Sequence, residues 1–231
     1  MRISSAQPMT RIGIIVGSTR PGRRGTAVAR WVEQATLGHT VVTTGQASVE
    51  VVDLAAQALP LLDEPVPAMF TDYRNPHTRR WSAVISSFDA FVFVTPEYNH
   101  SLPAALKNAI DFLYFEWGDK AAGLVSYGVQ GGLRASDHLR LVMAEVRAAV
   151  VPTQVSLSVF TDFDFSDFDA SDPTAAGVLR PGAGQEQDLT TMLAEVSAWS
   201  HALRGLRAAD PGMGANGSAG LEPDLATERA G

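Results

Sequence analysis

The chain is predicted to form an α/β fold, a three-layer sandwich with helices on both faces of a five-stranded parallel sheet. Three observations predict it. Five short apolar runs alternate with five segments of helical spacing along 231 residues. The first run is rich in β-branched residues and apolar on both faces, as a strand buried between helices must be. The connections after the first, third and fourth runs are unusual in Gly, Pro or hydroxyl content. In an open parallel sheet these are the ends where ligands bind.

Residues 11–16 form the first strand, with the run Ile-Gly-Ile-Ile-Val ending at Gly17. From Thr26 the spacing turns helical: Val28, Trp31, Val32 and Ala35 fall at i, i+3, i+4 and i+7, and Gly38 is a stop. Residues 50–54 make the second strand, and the Pro-rich stretch 59–67 cannot extend it in a central position. A helix over about 75–87 leads to the third strand, 90–94. Ser101 is a candidate cap and Pro103 a first-turn proline for the next helix, whose face is Leu102, Leu106, Ile110 and Leu113. Residues 121–126 are the fourth strand, and Leu139, Val142, Met143 and Val146 mark the fourth helix. Residues 151–159 are the fifth strand. Leu189, Met192, Leu193, Val196, Trp199 and Leu203 line a last amphipathic helix. Residues 1–10 read as a flexible leader, 11–208 as one domain, and 209–231, rich in Gly, Ala, Pro and charge, as a disordered tail.

Composition narrows the function. Hydrophobic residues at 45% and charged residues at 19% are ordinary for a soluble globular chain. No stretch reaches the roughly 20 apolar residues that cross a bilayer, and residues 1–10 lack a secretory apolar core. A cytoplasmic protein is the simplest reading, with no membrane partner. The absence of cysteine excludes disulfides, thiolate nucleophiles and Cys-based metal sites. A net charge of -7 argues against a nucleic-acid partner, although Arg20, Arg23 and Arg24 cluster where an anion could sit. His39, His77, His100, His138 and His201 show no metal spacing; of these His100 adjoins the third loop. The aspartates of 162–169 begin like a calcium loop but lack its glycine and final glutamate, so they read as a solvated acidic loop. Tyr114-Phe115-Glu116-Trp117 is either core or a subunit contact.

The first loop runs from Gly17 to Thr26. Its glycines let backbone N–H groups converge, its hydroxyls add donors, and a helix N-terminus follows; this suits a phosphate. A tight strand-to-helix turn with solvated arginines would have the same composition. A triphosphate-binding loop is ruled out because Arg23-Arg24 follow Gly22 where Lys and Ser/Thr are required. The dinucleotide fingerprint Gly-x-Gly-x-x-Gly is missing, which leaves Asp53 as a turn or capping residue. The third loop, 95–103, is stiffened by Pro96 and Pro103 and offers Tyr98 and Asn99 to a flat heterocycle.

Four separated segments, in order, carry a specific resemblance. Gly17-Ser18-Thr19-Arg20, Leu59-Pro60-Leu61 with Asp63-Glu64, Pro96-Glu97-Tyr98-Asn99 with Leu106-Lys107-Asn108-Ala109-Ile110-Asp111, and Ser126-Tyr127-Gly128 with Gly131-Gly132 resemble the NADPH-dependent FMN reductase family of flavodoxin-like proteins. The resemblance spans roughly residues 11–160 and implies strand order 2-1-3-4-5 with a non-covalent FMN. It implies that Ser18, Arg20 and Thr26 hold the phosphate, and that Pro96, Glu97, Tyr98 and Asn99 line the isoalloxazine edge. Tyr127, Gly128, Gly131 and Gly132 would lie on the flavin's other side; Val129-Gln130 departs from the glycine or small residues of many relatives. It further implies a homodimer or homotetramer, and hydride transfer from NADPH or NADH to flavin N5 with no side-chain catalyst. The reduced flavin would then serve a small-molecule acceptor such as a quinone, azo compound, metal oxyanion or free flavin. An FMN-bearing electron carrier for a protein partner is the alternative.

Overall fold

A computed structural model of the protein describes residues 9–70, 72–166 and 176–209. The leader up to residue 8, positions 167–169 of the acidic loop, and the tail from residue 210 lie outside the described residues. Five strands, β1 (Thr10–Val16), β2 (Ala47–Asp53), β3 (Ala90–Pro96), β4 (Ala121–Gly128) and β5 (Ala149–Ser158), pair in parallel in the order β2-β1-β3-β4-β5. This is the flavodoxin-like order expected from the sequence. The longer helices are α1 (Gly25–Gly38), α4 (Pro76–Ser86), α5 (Ala104–Asp111), α6 (Leu133–Glu145) and α7 (Ala183–Ala209); α2 (Thr40–Thr43) and α3 (Leu54–Gln57) are single turns.

The sheet carries a core on each face. One joins Ile12, Ile14 and Val16 to Val28 and Val32 of α1 and to Leu189, Met192 and Val196 of α7. The other joins Ile15, Phe91 and Phe93 to Trp81 of α4, Ile110 of α5 and Leu139 of α6. Burial on both faces explains why β3 reads as an unbroken apolar run rather than an alternating one. Trp117 belongs to the second core, its ring 5.1 Å from Phe91, which settles that residue as core.

Three readings are corrected, and two short helices are added. β2 begins at Ala47 and ends at Asp53; Leu54 opens α3, whose first turn Asp53 caps by accepting from the Ala55 N–H at 3.0 Å. Ser101 does not cap α5, because Pro103 occupies the cap position, and the Ser101 hydroxyl pairs with His138 Nδ1 instead. The helices α2 and α3 are too short to leave a periodic signature. The acidic segment is not simply solvated: Asp162 and Phe163 are buried, and β6 (Phe163–Asp164) pairs antiparallel with β7 (Val178–Leu179).

The chain leaves β1 for β2 on one side and returns to β3 on the other, so the strand order reverses between β1 and β3. Val16 and Val94 are register partners there. The loops after β1, β3 and β4 therefore meet at one edge.

Candidate functional site

In the first loop, Gly17 anchors the turn by donating to the Val94 carbonyl at 2.8 Å, and a Cβ in its place would lie 2.9 Å from Leu106. Ser18 is fully buried and shares a 2.8 Å hydrogen bond with the Tyr98 hydroxyl, joining the first loop to the third. Thr26 is exposed in the first turn of α1. That helix has no side-chain cap and no acidic residue in its first turn, so its leading N–H groups face the loop uncompensated.

The three arginines have different fates. Arg23 is neutralised by an ion pair with Asp53, which pins the loop to the end of β2. The Arg24 guanidinium lies over the Phe163 and Phe165 rings at 5.8 and 5.1 Å. Arg20 is exposed and, among the described residues, forms no hydrogen bond or ion pair.

Tyr127 lies beside the fourth-strand glycines through its backbone, while its hydroxyl reaches under the first loop: a Cβ on Gly25, the first residue of α1, would sit 2.9 Å from it. That hydroxyl is buried beside the Ser18 side chain but has no hydrogen bond of regular geometry. Burial, reinforced by the neighbouring Tyr98 phenol, pushes its pKa up, and Ser18 only partly offsets the rise, so it remains a neutral donor.

The third loop is a miniature hairpin. Tyr98 and Ser101 exchange backbone hydrogen bonds at 2.9 and 3.0 Å, and the two residues between them, Asn99 and His100, both have positive φ, at 50° and 66°. Positive φ at both central positions is the signature of a type I′ turn, which Asn tolerates better than most residues. The Glu97 carboxylate points to α6, accepting from the Arg134 N–H at 3.0 Å and pairing with its guanidinium. Glu97 thus caps α6, and its backbone N–H donates to the Tyr127 carbonyl at 2.9 Å. With the Ser101–His138 contact at 3.0 Å, this straps the third loop to the helix of the fourth.

After β4, Gly131 and Gly132 both have positive φ, at 72° and 74°. A Cβ on Gly132 would lie 2.8 Å from the Tyr127 nitrogen, and one on Gly128 would lie 3.3 Å from the Glu97 Cβ. These glycines let the fourth loop fold back onto its own strand beside the third. Val129 stands exposed at the tip, and the Gln130 amide oxygen accepts from Arg134 at 2.8 Å.

Ser18, Tyr98, Tyr127, Glu97 and Gly128 therefore come together, through direct bonds or close approach. Pro96 is buried as the last residue of β3, and Asn99 and Arg20 are exposed at the rim. Sequence reasoning missed the Arg23–Asp53 pair and the role of Asn108, which accepts from the Leu62 N–H at 2.9 Å and donates to the Pro60 carbonyl at 2.7 Å. Asn108 thereby fastens the 59–62 stretch to α5. A polar residue amid the apolar positions of that helix was the available signal.

The geometry suits a phosphate ester bearing a flat ring. Uncompensated helix N–H groups, the Tyr127 donor and guanidinium charge meet at the first loop, while two folded-back loops stand beside it. The sequence model of the family described as NADPH-dependent FMN reductase matches residues 10–162. Over 147 residues the chain is 40% identical to an NAD(P)H-dependent FMN reductase of Saccharomyces cerevisiae, covering 61% of this chain and 77% of the relative. Over 160 residues it is 31% identical to an FMN-dependent NADPH-azoreductase of Staphylococcus saprophyticus, covering 68% and 79%. An oxidoreductase from Corynebacterium diphtheriae shares the fold, with a TM-score of 0.63 at 18% identity over 84% of this chain and 98% of that one.

Proposed function

The chain belongs to the NADPH-dependent FMN reductase family, and from that premise we propose that the first, third and fourth loops hold FMN and present it to NAD(P)H and then to a small-molecule acceptor. The observation that carries this assignment is the buried Tyr127 hydroxyl, aimed at the first residue of α1 and without a hydrogen bond of regular geometry. An unsatisfied buried polar group costs about 1–3 kcal/mol, and a phosphate oxygen would satisfy it.

Ser18, Arg20 and Thr26 would surround the phosphate, with Arg20 supplying a charge-assisted hydrogen bond. Ser18 does so through its backbone, since its hydroxyl is engaged by Tyr98. Pro96, Glu97, Tyr98 and Asn99 would meet the ring edge through main-chain groups, while the Glu97 carboxylate keeps the loop in place. Gly128, Gly131 and Gly132 would let backbone approach the ring from the other loop. When bound, FMN supplies the hydride chemistry; the protein binds and orients it and needs no side-chain nucleophile. Relatives named for FMN, azo and quinone reduction support a quinone, azo compound or free flavin as acceptor. Leu61, Leu62, Met69 and Phe70, exposed between α3 and α4, support a homodimer or homotetramer. We read the protein as cytoplasmic; among the described residues no helix is long and apolar enough to cross a membrane.

The test is the visible spectrum of the purified protein before and after anaerobic NADPH, followed by an acceptor panel. A yellow protein bleached by NADPH and reoxidised by a quinone is expected. A yellow protein that NADPH never bleaches would sink the reductase reading in favour of electron carriage. At residue level, Arg20→Ala should weaken FMN binding about tenfold, with an unchanged melting temperature.

A further inference from the structure

Arg24 is a first-loop residue with no role in the site as drawn so far. Its guanidinium is stacked on Phe163 and Phe165, its Nε is buried without a hydrogen-bond partner, and among the described residues it forms no ion pair. Arg20 stands close enough that, after burial, its charge is the next cause holding the Arg24 pKa down. Two guanidiniums facing one loop repel each other until an anion lies between them.

The rings come from a separate piece of chain. Phe163 lies in β6, and its ring packs 6.4 Å from that of Tyr127, whose hydroxyl points at the start of α1. Gly177, beside β7, has φ of 71°, and a Cβ there would strike the Phe165 ring at 2.6 Å, so only glycine lets that ring lie where Arg24 meets it. The family match ends at residue 162, one residue before this hairpin begins. The hairpin lies just past the matched segment and meets it at the first loop, where Arg24 rests on its rings.

We propose that Arg24, held by Phe163 and Phe165, is a second phosphate-binding cation, and that the β6–β7 hairpin is the device that positions it. The inference rests on the FMN reading. With Arg23 neutralised by Asp53, Arg20 and Arg24 leave two positive charges at the loop. A phosphate monoester carries about -1.5 to -2 near neutral pH, so the charges match. Stacking fixes the guanidinium before the ligand arrives, which removes part of the ordering entropy that a free arginine loses on binding.

The experiment compares FMN with riboflavin, which has the ring but no phosphate. Each is titrated into the flavin-free full-length chain and followed by quenching of flavin fluorescence. Arg24→Ala should weaken FMN binding about tenfold and leave riboflavin binding within about twofold. Phe165→Leu, which keeps the charge but removes a ring, should give a smaller loss confined to FMN. Arg24→Lys should recover part of the FMN affinity. Equal losses for both ligands would make Arg24 a packing residue and overturn the proposal, as would an unchanged FMN affinity. If Arg24→Ala does not fold, Arg24→Gln and Phe165→Leu carry the same comparison. A wild-type chain that binds no FMN overturns the cofactor reading itself. A wild-type chain that binds FMN and is weakened by Arg20→Ala but not by Arg24→Ala overturns only this inference.

Discussion

At the amino-terminal edge of the sheet, charged groups are spent on one another. Asp89 accepts from the Arg11 N–H at 2.9 Å and from Arg207 at 3.3 Å, and Arg207 also donates to the Asp119 carbonyl at 2.6 Å. Arg147 pairs with Asp119 at 2.7 Å, and buried Lys120 donates to the Ile85 carbonyl at 2.9 Å. At the carboxyl-terminal edge the accounting is left open: Tyr127 Oη, Ser156 Oγ and the Nε atoms of Arg23 and Arg24 are buried without hydrogen bonds of regular geometry. The same sheet thus ties most charged groups at one edge to one another, with His201 Nε2 left unpartnered nearby, and leaves several polar atoms without partners at the other. Unpartnered donors cost stability in the free protein and return it when a ligand binds.

At the open edge the largest effect is expected from Gly132→Ala. Its φ of 74° and a Cβ 2.8 Å from the Tyr127 nitrogen leave no low-energy place for the methyl group. A loss of about 3 kcal/mol is expected, a fall of roughly 6–12 °C in a thermal melt. A fall under about 2 °C would mean that the open edge is far more pliant than its geometry.

Lys120 tests the closed edge. Burial, with Arg207 next, lowers its pKa to about 7, whereas in the unfolded chain it titrates at about 10.4. Between those values the unfolded state binds the extra proton, so this residue makes stability rise as pH rises through the window. The slope approaches about 1.4 kcal/mol per pH unit at most. Urea denaturation from pH 7 to 10 should show the rise in the wild type and a flatter curve in Lys120→Met. Parallel curves would mean that Lys120 is hydrated.

A smaller effect should come from Glu97→Ala, which removes the α6 cap and the strap between two loops. About 1 kcal/mol of stability should be lost, and FMN should dissociate faster in a stopped-flow displacement; unchanged dissociation would show that the strap does not position the third loop. The smallest effect belongs to Gly205→Ala, on the exposed face of α7 with open space around it. A gain of about 0.5–1 kcal/mol is expected from helix propensity alone, measured by chemical denaturation, with flavin affinity untouched.

Much of the fold was legible because its signals are local. The Ile-Gly-Ile-Ile-Val run became β1, and the i, i+3, i+4, i+7 pattern of Val28, Trp31, Val32 and Ala35 became α1, stopping at Gly38 as read. The three loops were legible as unusual backbone, from Gly131-Gly132 and the prolines that bound the third. The contacts that wire them together were not. Glu97 and Arg134 lie 37 positions apart, and Arg23 and Asp53 lie 30 apart. The hairpin at Phe163 was hidden behind the acid count, although Phe163 and Phe165 alternate with aspartates at the period of a strand.

The layered α/β architecture, the family and the three unusual loops are written in local signals, because apolar periodicity, glycine and proline act over a few residues. Tertiary packing alone shows that the Tyr127 hydroxyl lies by the first loop while its backbone adjoins the fourth, that Glu97 accepts from the start of α6, and that Arg24 rests on two rings while Arg20 is exposed. Those outcomes depend on which side chains a fold brings within a few ångströms, and on which of several equivalent polar groups finds a partner first. No local pattern records that competition.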